Sequence, residues 1–243
     1  MSLPKIDCLI YDLTLPLSKK KVKFRPFLVK EQRNLMIAME SNDSDTIEKN
    51  IRQVLHNCTQ TDVDIDKLPI TDVEFYFINL RARSVGEIVE NRYECKNEVE
   101  EGKPCGKIMD INFNLLDVKV EFDDGMKDEI QLDNKISIKL KYPEFAVLER
   151  GKKFDNKTDM AFSMIVDCIV HIYDAETEEF HYAKESTPEE IMEFVESLTQ
   201  SQFEKIEEFF DKQPRLVKKL ESTCSKCGFH HTIEVEGLEN FFG

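Results

Sequence analysis

The chain has 243 residues, of which 41% are hydrophobic and 33% are charged. These values describe a chain that folds around a core and exclude intrinsic disorder, and no apolar run approaches the roughly 20 residues that span a bilayer. The net charge of −15 disfavours general binding to nucleic acid, because an acidic surface repels phosphates. An aspartate interrupts the first apolar stretch, so we expect that this stretch is not a secretory signal and that the protein is cytosolic when made.

The charge is unevenly distributed along the chain. The first 40 residues carry eight basic and four acidic side chains, a charge of +4, which leaves −19 for the remainder. Most of these basic residues lie between Lys19 and Arg25. Such polarity favours docking between protein subunits, but a strand face whose lysines are only solvated gives the same pattern. Both interpretations stay open.

The N-terminal part is predicted to begin with two strands. Residues 6–11 form a mostly apolar run, and residues 21–25 alternate polar and apolar side chains with the period of a strand. The sequence Leu-Pro-Leu-Ser at residues 15–18 separates them as a turn. We expect a β-hairpin with an exposed edge at residues 19–25 to which a partner's strand could add.

Three helices should follow and form a compact bundle. The first would bury Leu35, Met36 and Met39 on one face. In the second, apolar side chains recur at helical spacing as far as Cys58. The third ends near Ser84.

The rest of the chain is predicted to contain both strands and helices. Residues 91–118 form two strands joined by a loop, and residues 136–140 form another strand. A helix over residues 159–173 would be buried, because most of its side chains are apolar. Two further helices follow, and strands at residues 216–220 and 232–235 flank the last cysteine pair.

Seven cysteines without a secretory signal argue against a disulfide framework. Cys8, Cys58 and Cys168 lie in apolar surroundings, and we expect them to be buried as small hydrophobic side chains. The other four form two pairs, which are Cys95 with Cys105 and Cys224 with Cys227.

Both pairs have features of a metal-binding knuckle. Cys224-Ser-Lys-Cys227-Gly228 is a CxxCG sequence, whose glycine permits the tight turn that points backbone amides at sulfur. Cys105 also precedes a glycine, but nine residues separate it from Cys95. Because both pairs are predicted at hairpin tips, the four cysteines together would hold one tetrahedral zinc ion.

Two alternatives to a structural zinc remain open at this point. A catalytic zinc keeps an open position and usually has histidine or carboxylate ligands. His230 and His231 follow the knuckle and could replace a thiolate. The cysteines could also act without metal, for example in redox chemistry.

The sequence contains none of the motifs that mark common enzyme classes. No phosphate-binding glycine loop, HExxH or GxSxG occurs, and the eight glycines do not cluster. We therefore expect a protein that is not an enzyme and has no catalytic or organic-cofactor residues.

These elements define an α+β fold. N-terminal strands with a helical block are followed by β-hairpins, tied by a zinc-ribbon-like four-cysteine site, and by C-terminal helices. We divide the chain into residues 1–86, the strands and helical block, and residues 87–243, the zinc-tied hairpins and helices. The two parts should form one compact body.

Two stretches of the sequence are similar to those of a known protein family. They read VKFRPFLVKE at residues 22–31, continuing to LMIAMES at 35–41, and DVE at 72–74, followed by LRARSVGE at 80–87. They resemble the baseplate hub and hub-assembly proteins of T-even-type tailed phages, the products of genes 26 and 51 in that group. The resemblance extends over most of the chain.

The resemblance implies a structural or assembly protein of a contractile-tail phage baseplate hub. Such a protein contacts other hub and tail proteins and binds neither nucleic acid nor membrane. It would be found in the host cytoplasm during assembly and, if it is a hub component, in the virion tail. One family member is a hub component and another is an assembly factor absent from the finished particle, and the sequence does not separate the two.

A zinc-ribbon adaptor of transcription or replication is the competing function. It requires a basic surface near the cysteine knuckles. Lys107, Lys218, Lys219 and Lys226 flank them, but the acidic background of the chain opposes this reading.

Overall fold

The computed structural model describes residues 7–41, 43–100, 102–151, 154 and 156–237. Within these residues the chain forms seven α-helices and thirteen β-strands, which confirms the predicted α+β class. The helices are α1 (Val29–Glu40), α2 (Ser44–Cys58), α3 (Ile70–Ser84), α4 (Ala146–Gly151), α5 (Lys157–Cys168), α6 (Pro188–Glu196) and α7 (Gln200–Asp211). The strands are β1 (Tyr11–Thr14), β2 (Lys21–Phe24), β3 (Ile88–Glu94), β4 (Glu98–Glu100), β5 (Lys103–Pro104), β6 (Ile108–Asn114), β7 (Lys119–Glu121), β8 (Glu129–Gln131), β9 (Ile136–Leu140), β10 (Ile169–Asp174), β11 (Glu179–Tyr182), β12 (Arg215–Thr223) and β13 (His230–Glu236).

The chain folds into two compact units. The first unit consists of Met1–Ile65, Thr71–Glu121 and Arg215–Gly243, and the second of Asp66–Ile70 and Phe122–Pro214. The chain therefore leaves the first unit and returns to it with its last hairpin. The boundary predicted between residues 86 and 87 does not coincide with these limits and stays a prediction.

The first unit begins with the hairpin of β1 and β2. The two strands are antiparallel, with Tyr11 opposite Phe24. The predicted turn at residues 15–18 is held by Asp72 in the first turn of α3, whose carboxylate accepts hydrogen bonds from the backbone N–H groups of Leu17 and Ser18, both at 2.8 Å. Asp72 is fully buried, so the turn is attached to α3 inside the unit.

The strand predicted at residues 6–11 begins only at its last residue. β1 starts at Tyr11 because its partner β2 ends at the opposite residue, Phe24. Leu9 and Ile10 are 73% and 50% exposed, and residue 6 lies outside the described residues. Cys8 is exposed as well, so its prediction as a buried hydrophobic side chain was wrong, whereas Cys58 and Cys168 are buried as predicted.

The edge of β2 is not as open as predicted. Arg25 N–H donates to the carbonyl of Cys58 at 3.0 Å, and Gln60 N–H donates to the carbonyl of Lys23 at 2.7 Å. The last residue of α2 and the segment after it therefore occupy the backbone groups at residues 23–25, and addition of a partner's strand at these residues is excluded.

Helix α1 buries a stripe that differs from the predicted one. Its buried residues are Glu31, Leu35 and Ala38, spaced by four and three positions. Met36 lies about 100° around the helix from Leu35 and is 55% exposed, so its assignment to the buried face was wrong. The prediction placed no polar residue on this face, but Glu31 occupies it.

Glu31 is a buried carboxylate that accepts two hydrogen bonds. It accepts from the backbone N–H of Leu28 at 2.7 Å and from the guanidinium of Arg25 at 3.1 Å. Burial raises the pKa of Glu31, but these hydrogen bonds and the attraction of Arg25 together lower it by a larger amount. The pKa of Glu31 therefore lies below its ordinary value.

Replacing Glu31 by glutamine is expected to lower the free energy of unfolding by about 1–3 kcal/mol at pH 7. A carboxyl group whose pKa is lowered by folding stabilises the fold at pH values above its unfolded-state pKa. This stabilisation is lost as the pH falls through its folded-state pKa. The difference between wild type and E31Q should therefore shrink below about pH 4 in urea unfolding curves. E40Q, at the exposed end of α1, is the control, and a pH-independent difference would contradict the assignment.

The second helix follows its prediction closely. Ile51, Val54, Leu55 and Cys58 are buried on one face of α2. Asp43 starts the helix, because its carboxylate accepts from the backbone N–H of Thr46 at 3.1 Å.

The rest of the first unit consists of antiparallel sheets that pack with α3. β3 pairs with β6, and β12 lies between β13 and β7. One core cluster contains Ile78 and Ala82 of α3, Val89 of β3, Phe113 of β6 and Leu220 of β12. The same cluster includes Cys95, Cys105 and Cys224, so these cysteines lie at the edge of a continuous core.

The second unit packs helices against a four-stranded antiparallel sheet. The strand order is β11-β10-β9-β8. The helix predicted over residues 159–173 was wrong in its last five residues, since α5 ends at Cys168 and Ile169–Asp174 is β10. This segment reads Ile-Val-His-Ile-Tyr-Asp, and its β-branched and aromatic residues fit a strand between β9 and β11. None of the described helices has the length and apolar character needed to cross a membrane.

Candidate metal centre

Two hairpins of the first unit bring the four predicted cysteines together. β3 and β6 are paired as far as Glu94 and Ile108, and Cys95 and Cys105 lie in the loop beyond this pair. β12 and β13 are paired as far as Thr223 and His230, and Cys224 and Cys227 lie in the turn between them. The two loops meet although 118 residues separate Cys105 from Cys224 in the sequence.

The four sulfur atoms form one compact cluster. All four lie within 4.8 Å of one another. Cys95 Sγ is 3.7 Å from Cys227 Sγ, and Cys105 Sγ is 3.8 Å from Cys224 Sγ. A tetrahedral ion with metal–sulfur bonds of about 2.3 Å requires sulfur–sulfur distances of about 3.8 Å, whereas a disulfide bond requires about 2.05 Å. The spacing fits a shared metal ion and not a disulfide.

The C-terminal pair has the backbone geometry of a compact knuckle. Gly228 N–H donates to the carbonyl of Cys224 at 2.9 Å, and Cys224 N–H donates to the carbonyl of Phe229 at 2.9 Å. Gly228 has φ of +74°, a left-handed conformation that favours glycine. The knuckle therefore has the tight turn at Gly228 that the CxxCG sequence predicted.

The Cys95 loop closes with the same hydrogen bonds in spite of its greater length. Gly106 N–H donates to the carbonyl of Cys95 at 3.0 Å, and Cys95 N–H donates to the carbonyl of Lys107 at 2.8 Å. Gly106 has φ of +66°. The extra residues include the small hairpin of β4 and β5, so the base of the loop keeps the form of a knuckle.

Polar contacts also link the two loops directly. Lys226 Nζ donates to the carbonyl of Cys105 at 2.7 Å, and Asn97 Nδ2 lies 3.7 Å from Cys227 Sγ. The sequence analysis did not name Asn97, and it named Lys226 only as a basic residue that flanks the knuckle. Each lies within two residues of a cysteine, but its contact is made across the interface of two hairpins distant in sequence.

Burial and backbone amides act differently on the thiols. Burial raises the pKa of Cys95 to about 12 and also raises the pKa of Cys105. At Cys224, a hydrogen bond from the backbone N–H of Cys227 lowers the pKa to about 6. Four thiolates this close repel one another, and a bound divalent cation stabilises the negative charge of all four.

The two histidines of the alternative ligand set are placed differently. His231 Nε2 lies 3.1 Å from Cys95 Sγ, within hydrogen-bonding distance, and its ring meets Phe229 edge to face at 4.8 Å. His230 Nδ1 lies 3.3 Å from the hydroxyl of Thr223 on the exposed side of the hairpin. Among the described residues, the mutually close donor set consists of the four cysteines.

The fold and the site together define an α+β protein with a four-cysteine centre that can hold a metal ion between two hairpins. Over residues 9–243 the chain matches the family described as T4 bacteriophage base plate protein. The chain therefore belongs to this family and is a phage baseplate protein. No curated protein and no solved structure matches the chain. The predicted family is thereby confirmed at the level of the baseplate, while its hub and gene-26 or gene-51 types stay predictions.

Proposed function

We propose that the protein is a structural or assembly component of the baseplate hub and that Cys95, Cys105, Cys224 and Cys227 hold one zinc ion. The close approach of all four sulfur atoms, within 4.8 Å of one another in a member of the baseplate family, is the observation that carries this proposal. Four cysteine thiolates in tetrahedral geometry are typical of structural zinc.

The zinc would act as a clamp within the first unit. Cys95, Cys105 and Cys224 are almost fully buried, which favours a closed structural site over one that admits substrate. The ion would join the β3–β6 hairpin to the β12–β13 hairpin and so fix the end of the chain to its middle. A protein whose work is to make contacts in an assembly needs such a rigid frame, and in this proposal it has no catalytic role.

The basic N-terminal segment is the surface that we propose for a partner protein. Lys19, Lys20 and Lys21 are all exposed, and the backbone groups of residues 23–25 are already bonded to the segment after α2. Contact would therefore use the lysine side chains, which fit an acidic surface on another baseplate protein.

Reversing the charge of Lys19, Lys20 and Lys21 to glutamate should weaken capture of baseplate partners by about tenfold or more and leave the melting temperature unchanged. Pull-down from infected cells with quantitative mass spectrometry measures this loss. The control triple reverses three exposed lysines elsewhere, Lys49, Lys119 and Lys127. Equal capture by both triples would show that residues 19–21 are only solvated.

The hub assignment is tested by locating the protein during assembly. Mass spectrometry of purified hub subassemblies and of finished tails should find the protein in stoichiometric amounts with hub proteins. Presence in both fractions indicates a hub component, and presence in the subassembly alone indicates an assembly factor. Association with polymerase or replication proteins instead would contradict the hub and support the adaptor.

A further inference from the structure

The helices of the second unit leave an apolar groove on the surface. The groove, of about 610 Å³, lies between α5, α6 and α7. The apolar side chains along it come from all three helices and the connection between the last two: Phe162, Met192, Val195, Leu198 and Phe203. A second hollow of about 540 Å³ shares Phe162 and Phe203 with the first, so the two form one extended surface, which we call the aromatic groove.

The length of the aromatic groove matches about three turns of a helix. Phe162 and Phe203 line both hollows, stack at 5.1 Å and remain partly exposed. The lining of the groove follows α7 from Gln200 to Asp211, a rise of about 16 Å or three helical turns. A helix lying along it would insert side chains spaced i, i+4 and i+7 on either side of the aromatic pair.

The rim of the groove is acidic. Asp159, Glu196, Glu207 and Asp211 line the two hollows and are exposed. Lys157 is the single basic residue among the described residues that line them. No ion pair joins the four carboxylates to a cation in the described part of the chain, so their charge is available to a partner.

We propose that the aromatic groove binds an amphipathic helix of another protein whose apolar face is flanked by lysine or arginine. The charge of the rim selects this occupant, because opposite charges around an apolar contact favour association and like charges oppose it. A second copy of the chain fits less well, since the most amphipathic helix of the first unit, α2, buries Ile51, Val54 and Leu55 in its own core. Anionic lipid surfaces are disfavoured by the same rim.

The test uses the full-length protein and fluorescein-labelled synthetic helices of about 18 residues. One peptide has leucines at i, i+4, i+7 and i+11 with lysines beside them, and its matched peptide has glutamate at every lysine position. Fluorescence anisotropy should show micromolar binding of the lysine peptide, weakened by salt, and at least about tenfold weaker binding of the glutamate peptide.

A pair of charge-reversed variants isolates the rim. E196K/E207K should weaken binding of the lysine peptide by about tenfold. E193K/E204K has the same net charge and changes exposed carboxylates on the same helices outside the groove lining, so it should bind as the wild type does. Circular dichroism melting confirms that both variants are folded.

Three binding results would overturn the proposal. These are equal affinity for the lysine and glutamate peptides, equal effects of the two double variants, or no binding of the lysine peptide at about 100 µM protein. Light scattering of the protein alone gives a fourth, since a dimer that only E196K/E207K dissociates would identify a second copy as the occupant. The aromatic groove belongs to the second unit, so failure of the docking proposal would leave the zinc proposal intact. Metal analysis of the same preparation tests the zinc proposal separately.

Discussion

Replacing Cys224 by serine should remove the metal and unfold the hairpin end of the first unit. Bound zinc should fall from about one ion per chain to near zero, because a closed site cannot keep its affinity with three thiolates and a hydroxyl. Because the metal binds the folded site, its binding free energy adds to the free energy of unfolding. C224S should therefore lower the free energy of unfolding by at least about 3 kcal/mol, or the melting temperature by roughly 10 °C. Hydrogen exchange should quicken in β3, β6, β12 and β13.

The matched control for this variant is C8S. Cys8 is exposed and lies outside the four-cysteine centre, so its replacement should change neither the metal content nor the melting temperature by a measurable amount. Hydrogen exchange in the second unit should be alike in both variants. A C224S protein with full metal content and a wild-type melting curve would remove the clamp from the account.

Replacing Asp72 by alanine is expected to have the next largest effect. The buried carboxylate accepts two backbone hydrogen bonds, from Leu17 and Ser18, and alanine leaves both donors without it. Charge-assisted hydrogen bonds of this kind make the expected loss about 2–4 kcal/mol in denaturant unfolding. Asparagine retains one acceptor oxygen, so D72N should lose less than D72A.

The exposed Asp62 provides the comparison for the aspartate series. D62A should change the free energy of unfolding by no more than about 0.5 kcal/mol. Hydrogen exchange at residues 15–18 should rise in D72A and stay unchanged in D62A. If D72A were as stable as D62A, the turn would owe nothing to the carboxylate.

The parts of the fold that the sequence predicted are those determined by local periodicity. The face of α2 that includes Cys58 follows from apolar spacing, and β12 and β13 agree with the strands predicted on either side of the last cysteine pair. Helix α1 shows where this reasoning ends. Glu31 is buried and paired with Arg25, whereas Met36 lies on the exposed side, and no periodicity of apolar residues contains that information.

The helix predicted over residues 159–173 failed for a different reason. Both a buried helix and a buried strand are mostly apolar, so composition alone did not locate the change at Cys168. The β-branched residues after it were the available signal, and the neighbouring strands β9 and β11 turn that preference into β10. The boundary depends on tertiary pairing.

The candidate site was predictable in its residues and less so in its shape. The CxxCG knuckle is a local pattern, and the glycine after Cys105 was the signal for a second knuckle. The long Cys95 loop left its geometry undecided, and only the structure shows that the extra residues include β4 and β5 above a base with knuckle hydrogen bonds. The contacts of Asn97 and Lys226 depend on two hairpins distant in sequence and could not be derived from either one alone.

X-ray absorption at the zinc edge tests the central claim most directly. The account predicts about one zinc per chain with four sulfur ligands at about 2.3 Å in the wild-type protein, and loss of this signal in C224S. Nitrogen or oxygen in the first shell, or a folded protein that binds no zinc when purified with zinc present, would contradict the four-cysteine clamp.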